Sequence, residues 1–276
     1  MKVNMMIMIF VLLCKLPLIH AQYDEKQIIV ISAGYNNVFF YKEMLDSIVN
    51  QNYKNWQLIY IDDKSTDGTP DLIEQYLAEK PEFAKKITLI KNETHNGSAI
   101  ENQYYAIHEC PQKAIIVILD GDDKFAHNNV FSHINKVYSE SEVWLTYGQY
   151  REEPSGKKGF CCAMPKKVLR ERTFRTFPHL ASHLRTFYAG LFHKIKKEDL
   201  FYDGSFAPMS GDVASMLSML EMAGEDHFKF IPEVLMIYND GNPINSYKIS
   251  TQLERDTNRY FRSKKPYNKI QSPFTN

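Results

Sequence analysis

The sequence predicts an α/β fold, a Rossmann-like α/β/α sandwich around a mostly parallel sheet. Two observations carry this. From Gln27 onward, short β-branched runs alternate with stretches whose apolar residues recur at helical spacing, the pattern of strands covered on both faces by crossover helices. The first four runs also end in polar clusters, at Ser32–Asn37, Asp62–Gly68, Asn92–Ser98 and Asp120–Asp123. Ligands of open parallel sheets bind there, beyond the carboxyl ends of the strands. A length of 276 residues suits one large domain with a real core.

The elements follow in order. Ile28-Ile29-Val30-Ile31 reads as a buried strand, and Phe40, Met44, Leu45 and Ile48 stripe the first helix. Gln57–Asp62 is the second strand. Thr69-Pro70 then opens a helix, with threonine as N-cap and proline at the first helical position. Ile87–Ile90 is the third strand, Ile100, Tyr104 and Ile107 mark the third helix, and Ala114–Leu119 runs into the acidic loop. Beyond it, Val143–Tyr150 reads as a strand and Arg151–Lys158 as a turn-rich excursion. Residues 160–209 are aromatic and basic. Gly211-Asp212 precedes a helix striped by Val213, Met216, Leu217 and Leu220, and Phe228–Ile231 and Val234–Tyr238 are short strands. Residues 22–245 therefore read as one domain with halves 27–125 and 126–245, followed by a polar basic tail, 246–276.

Lysine and arginine balance aspartate and glutamate at 33 each, so no global field draws nucleic acid and any charge-based function is local. Residues 1–21 stand apart: Lys2, the apolar run Met5–Cys14, and Ala21 at a cleavage position read as a secretory signal peptide. The run is short for about 30 Å of hydrocarbon; a short uncleaved anchor is the alternative, confining membrane contact to the N-terminus. Either reading sends the chain into a secretory or export route. Cys110, Cys161 and Cys162 fit no zinc spacing and make a disulfide framework unexpected, leaving open one bridge from Cys110 to either of the others. Asn92-Glu93-Thr94 and Asn96-Gly97-Ser98 are sequons, relevant only where the source cell glycosylates exported proteins.

Asp120, Asp122 and Asp123 crowd one strand end. Carboxylates so close raise one another's pKa unless a cation neutralises them, and Mg2+ or Mn2+ takes carboxylate oxygens. An acidic turn would satisfy the same letters. The second strand, however, also ends in paired acids, Asp62-Asp63, and two such ends on one sheet edge favour a site.

Taken in order, Ile31–Asn36, Ser47–Gln51 with Tyr53, Asp62-Asp63-Lys64-Ser65-Thr66-Asp67-Gly68-Thr69 and Leu119-Asp120-Gly121-Asp122-Asp123 strongly resemble the family 2 glycosyltransferases of the GT-A fold. Those enzymes show a strand followed by Tyr-Asn, a helix with S-I-x-x-Q, a D-D-x-S-x-D-G-T loop and an L-D-x-D-D loop. The resemblance is dense over 27–125 and thin from there to Tyr238. It implies an inverting transfer from a nucleotide-sugar donor, UDP- or GDP-linked, to a hydroxyl of a glycan, lipid or protein acceptor, with Mn2+ or Mg2+ as cofactor. By the same resemblance Ala33 and Tyr35 line the base pocket and Asp63 accepts a hydrogen bond from the base. Asp120 lies near the donor, Asp122 contacts the ribose or the metal, and Asp123 shares the metal on the diphosphate; the division among the three acids stays open. Such enzymes open a helix of their second half with an acidic general base. Asp212 occupies that place, and capping its helix is the structural alternative.

Two departures stand out. Many relatives carry Ala-Arg-Asn at the third helix where this chain has Ile100-Glu101-Asn102, which leaves the diphosphate contact unassigned, with amides of Asn96, Gly97 and Ser98 on offer at a helix start. Many also carry proline before Tyr-Asn, where Ala33-Gly34 stands here. His183, Arg185 and Tyr188 either read an acceptor sugar or lipid phosphate or belong to a solvated surface helix; the second is the expected reading. Haloacid-dehalogenase phosphatases also place Asp-x-Asp after a strand, but near the domain start and followed by threonine or valine, whereas Lys124 follows here. Two further readings compete with the transferase: a nucleotidyltransferase on a similar fold, and a nucleotide-sugar-binding protein without turnover.

Overall fold

A computed structural model describes residues 23–245, 248 and 250–274; the segment read as signal or anchor lies outside them. In chain order the elements are β1 (Ile28–Gly34), α1 (Tyr41–Val49), β2 (Trp56–Asp62), α2 (Thr69–Glu79), β3 (Ile87–Lys91), α3 (Ala99–His108), β4 (Ile115–Ile118), β5 (Lys124–Phe125), α4 (Val130–Glu140) and β6 (Leu145–Glu153). They continue with α5 (Lys166–Glu171), β7 (Arg185–Tyr188), α6 (Ala189–Phe192), the small hairpin β8 (Phe201–Tyr202) and β9 (Ser205–Phe206), α7 (Gly211–Ala223), β10 (Phe228–Asn239) and a C-terminal helix, Thr251–Ser263.

One sheet runs in the order β3-β2-β1-β4-β7-β6-β10-β5. Strands β1 to β4 pair in parallel, β7 inserts antiparallel between β4 and β6, β6 and β10 are parallel, and β5 closes the edge antiparallel to β10. Continuous apolar runs follow from burial on both faces. Along β1, Ile28 and Val30 pack with Met44 and Leu45 of α1, Ile73 of α2 and Ile134 of α4. Ile29 and Ile31 pack on the other side with Ile107 of α3 and Met216 and Leu220 of α7. Strand β4 divides likewise, Ile115 and Val117 to one core and Ile116 and Ile118 to the other.

Several sequence expectations are corrected. Gly68, not Thr69, is the N-cap of α2; the Thr69 amide and hydroxyl both donate to Asp67. The two short strands near 228–238 are one strand, irregular between Ile231 and Met236 where its register to β6 shifts. Residues 185–188 form no surface helix. They are strand β7, with Arg185 and Thr186 buried.

The stretch set apart by composition as a polar tail packs onto the domain. Phe261 is fully buried, the Tyr267 amide donates to Glu221, and the Ile270 amide donates to the Met222 carbonyl. Behind them Arg175 holds Glu221 in a two-pronged buried pair, Nε to Oε1 at 2.6 Å and Nη2 to Oε2 at 2.8 Å. Cys110, Cys161 and Cys162 are free thiols, so neither bridge considered from Cys110 forms. Among the described residues no helix is long and apolar enough to cross a membrane.

Candidate active site

The motif loops hold one another. The Asn36 amide donates to Ser65 Oγ, the Thr66 amide to Asn36 Oδ1, the Val38 amide to Asp67 Oδ2 and the Asn37 amide to Thr69 Oγ1. The loop after β1 is thereby laced to the loop after β2. Gln51 does the same farther along: its amide nitrogen donates to the Ser47 and His127 carbonyls and its oxygen accepts from the Phe131 amide, joining α1 to α4.

Two glycines bring the ends of β1 and β4 together. A Cβ on Gly121 would lie 2.3 Å from Asn37 Nδ2 and 3.1 Å from Gly34 Cα; one on Gly34 would lie 2.2 Å from the Tyr60 hydroxyl. No side chain fits either place, and the Gly121 amide instead donates to the Ala33 carbonyl, carrying the acidic loop over the sheet end. Ala33, at that end, thus sits beside Gly121.

Asp63, buried after β2, is the hub of the loop before α3. Its Oδ1 accepts from Asn92 Nδ2 at 2.7 Å and from the Asn96 amide at 3.1 Å; its Oδ2 accepts from the Gly97 amide at 3.0 Å and lies 3.0 Å from His95 Nδ1. Burial alone would raise this carboxyl, but the donors from Asn96, Asn92 and Gly97 outweigh it and hold it below the ordinary value. One expectation changes as a result: the Asn96 and Gly97 amides offered to a diphosphate serve Asp63 instead. Both sequon asparagines also direct their amide nitrogens inward, Asn92 to Asp63 and Asn102, and Asn96 to Asn102. Tyr35, partly exposed, packs its ring on His95 with centroids 4.3 Å apart.

The acidic loop meets strand β7. Because β7 runs antiparallel to β4 with Arg185 opposite Ile118, its first residues lie beside Asp120. Donor atoms of Asp120, Asp123 and His183 lie within 4.8 Å of one another. Asp123 is 1% exposed; its Oδ1 accepts from the Asn239 amide at 2.7 Å, while its Oδ2 is buried with no partner. Burial first, then repulsion by Asp122 and Asp120, pushes the Asp123 carboxyl well above its ordinary value. Burial, and then Arg185, pushes the His183 imidazole down, to about 3, leaving a neutral ring able to ligate. An orphaned carboxylate oxygen, a second carboxylate and a neutral imidazole fit a divalent cation. Asp122 accepts from Asn242 Nδ2 at 2.6 Å; burial raises its carboxyl to about 6 despite that bond.

Arg185 joins this group to Asp212. It is buried in β7, with Nη1 3.1 Å from Asp212 Oδ2 and Nη2 3.6 Å from Asp120 Oδ2. Asp212 is the second residue of α7, whose N-cap is Ser210, so it is not the cap. Burial opposes ionisation of Asp212, but Arg185, then His179 and His183, prevail and hold its pKa below the ordinary value. Burial raises Asp120, and Arg185 offsets only part of that. Asp120, Asp123 and Asp212 are thus brought together, with Asp122 next in the chain, while Ala33, Tyr35 and Asp63 lie at the neighbouring strand ends. Sequence reasoning missed the placement of Arg185 and His183. The available signal was an arginine and a threonine inside a short run, Leu184–Tyr188, of strand-forming residues.

The profile described as "Glycosyl transferase family 2" matches residues 27–212. EpsE of Bacillus subtilis (strain 168), assigned as a glycosyltransferase, is 38% identical over 94 residues, which cover 34% of this chain and 32% of that one. TuaG of the same organism, assigned to teichuronic acid biosynthesis as a glycosyltransferase, is 32% identical over 96 residues, 35% of this chain and 36% of its own. The matched stretch thus spans about a third of either relative. Among solved structures, S. aureus TarS residues 1–349 with UDP superposes with a TM-score of 0.56 at 14% identity, covering 77% of this chain and 60% of that one. The mannosyltransferase PcManGT of Pyrobaculum calidifontis, with GDP-Man and Mn2+, gives 0.56 at 20% identity, covering 88% and 66%. At these identities the likeness is one of fold, the GT-A arrangement of a mostly parallel sheet. With the profile running unbroken from β1 to the Asp212 of α7, the chain belongs to glycosyl transferase family 2.

Proposed function

We propose that the chain transfers a sugar from a nucleotide-sugar donor to an acceptor hydroxyl, with inversion, in one displacement. The observation that carries this is the gathering of Asp120, Asp123 and His183 on one side of the Arg185 guanidinium and Asp212 on the other. Asp120, Asp123 and His183 hold a divalent cation. The imidazole favours Mn2+ over Mg2+, which prefers an all-oxygen shell. When bound, that ion offsets charge on the departing nucleoside diphosphate as a Lewis acid. Asp212, kept ionised by Arg185, takes the proton of the acceptor hydroxyl. Ala33 and Tyr35 border the base, and Asp122 reaches the ribose. PcManGT with GDP-Man and Mn2+, and TarS with UDP, support a UDP- or GDP-linked donor. The acceptor is a glycan, lipid or protein hydroxyl, reached after export by the N-terminal segment.

The test is hydrolysis of a panel of UDP- and GDP-sugars with and without Mn2+. Metal-dependent release of one nucleoside diphosphate, lost in Asp123→Asn and in Asp212→Asn, is expected. Metal-dependent binding with no release from any donor, and no transfer to added acceptors, would make this a binding protein instead. Sequencing the mature N-terminus tests export: a start after Ala21 is expected.

A further inference from the structure

The surroundings of Asp212 include a segment that the family profile does not reach: the match ends at residue 212, and the C-terminal helix begins at Thr251. Two sets of bonds seat that helix. Ser210 Oγ, at the N-cap of α7, lies 2.9 Å from Thr257 Oγ1 and 3.2 Å from the Glu254 carbonyl oxygen. Arg262 Nη1 donates to the carbonyls of Arg175 and Phe177 at 3.0 and 2.7 Å, fixing the chain that leads to His179. The helix thus bridges Ser210, two residues before Asp212, and the approach to His179, whose imidazole helps hold Asp212 ionised. Glu254 lies in the first turn of the helix, half-buried, and its carboxyl has no hydrogen-bond or ion-pair partner among the described residues. Burial, and then repulsion by Asp212, raises that carboxyl above its ordinary value, so the two acids feel each other across the start of α7.

Two more polar atoms of this group are buried without partners, His179 Nε2 and Arg185 Nε, the latter on a side chain only 7% exposed. Buried polar atoms are normally paired, and a bound ligand is one way to meet those that are not. The set is mixed: Arg185 Nε only donates, whereas Glu254 has an accepting oxygen whether or not it is ionised. A molecule that satisfies both brings several groups that donate and accept at once, which describes the hydroxyls of a sugar. A serine, a threonine or a lipid alcohol brings a single hydroxyl, and the base takes that one. We propose that the acceptor is a saccharide and that Glu254 of the C-terminal helix selects it, accepting a hydrogen bond from a second hydroxyl while Asp212 takes the proton of the first. This rests on the reading of Asp212 as the general base.

The probes are methyl glycosides of hexoses and N-acetylhexosamines, set against a peptide with one serine and against farnesol, each offered with the donor that wild type hydrolyses. Wild type should transfer to one or more glycosides and to neither single-hydroxyl probe. Glu254→Ala should raise the KM for that glycoside about tenfold, the scale of one hydrogen bond, with the loss falling on KM rather than kcat. Among analogues of the glycoside lacking one hydroxyl each, wild type should lose the same factor on one, and Glu254→Ala should lose no more on that one. Glu254→Gln keeps an accepting oxygen and should recover part of the affinity. If Glu254→Ala fails to fold, seen as lost nucleoside diphosphate binding, the cycle is read on Glu254→Gln, whose smaller loss should vanish on the same analogue. Losses that add for every analogue would overturn the proposal while leaving the donor site intact. So would preferred transfer to the peptide or farnesol, or donor hydrolysis with transfer to no glycoside. Failure of wild type to bind or hydrolyse any donor would remove the transferase reading itself.

Discussion

Arg185 Nη1 stands 3.1 Å from the Asp212 carboxylate while Nη2 of the same group reaches Asp120 at 3.6 Å. One buried guanidinium therefore sets the distance between Asp212 and Asp120, and it is the largest charge holding Asp212 ionised. On the proposed mechanism Asp212 must be unprotonated to act, so its depressed pKa should place the acidic limb of the rate profile below the ordinary carboxylate range. Arg185→Gln removes the largest of the groups that oppose the burial of Asp212, so the limb should move to higher pH, with kcat falling by about 10²–10⁴ at the pH where wild type is fully active. Arg185→Lys should recover part of the rate. A pH profile of kcat/KM for the three proteins checks this.

The orphaned oxygen of Asp123 predicts a metal-linked stability. Its raised pKa means that an ion entering the site displaces a proton, so Mn2+ affinity should rise with pH until Asp123 is fully ionised. A saturating ion at about a hundred times its Kd should stabilise the wild-type fold by about 2.7 kcal/mol. Asp123→Asn should melt close to wild type without metal and gain nothing from Mn2+. Scanning calorimetry in chelator and in Mn2+ reads both halves.

Gly121→Ala is the smallest change that should damage the site without touching a titratable group. The added carbon would lie 2.3 Å from Asn37 Nδ2 and 3.1 Å from Gly34 Cα, and backbone cannot yield as a flexible side chain does. A loss of about 1–3 kcal/mol is expected, together with weaker nucleoside diphosphate binding because the acidic loop must shift. Denaturant unfolding and calorimetric titration measure the two effects.

Glu221 gives the strongest expected stability effect. With Arg175 it links α7, the segment before β7 and the C-terminal helix, whose Phe261 is fully buried. Glu221→Ala strands a buried guanidinium and should cost about 3–5 kcal/mol, whereas replacing both partners by apolar residues of similar volume should recover most of it. Equilibrium unfolding of the single and double variants distinguishes the two outcomes.

The first half of the fold was legible because its strands are apolar on both faces and its acids fall where such strands end. Strand β7 was not. Its buried positions include Arg185 and Thr186, and hydropathy cannot foresee an arginine buried against Asp120 and Asp212, one of them 65 positions earlier in the chain. The C-terminal helix hid for a related reason: Thr257 and Phe261 are its buried residues, too narrow a stripe to stand out from its charged neighbours. Within the site, the acids were readable as residues but not as partners. Asp63 carries the motif position of a base contact, yet its surroundings come from Asn92, His95, Asn96 and Gly97, residues with no pattern of their own.

The lacing of Asn36, Ser65, Asp67 and Thr69 has a consequence for how such chains diverge. These letters make up much of the signature after β2, and in the structure they bind one another. Selection for a folded scaffold would preserve them in a descendant that had lost Asp212 and all turnover. A descendant with a new sugar or acceptor would preserve them equally. That signature therefore speaks for the architecture. On the proposed mechanism, whether a given copy still works would be decided at Asp212 and Arg185, which can change and leave the frame standing.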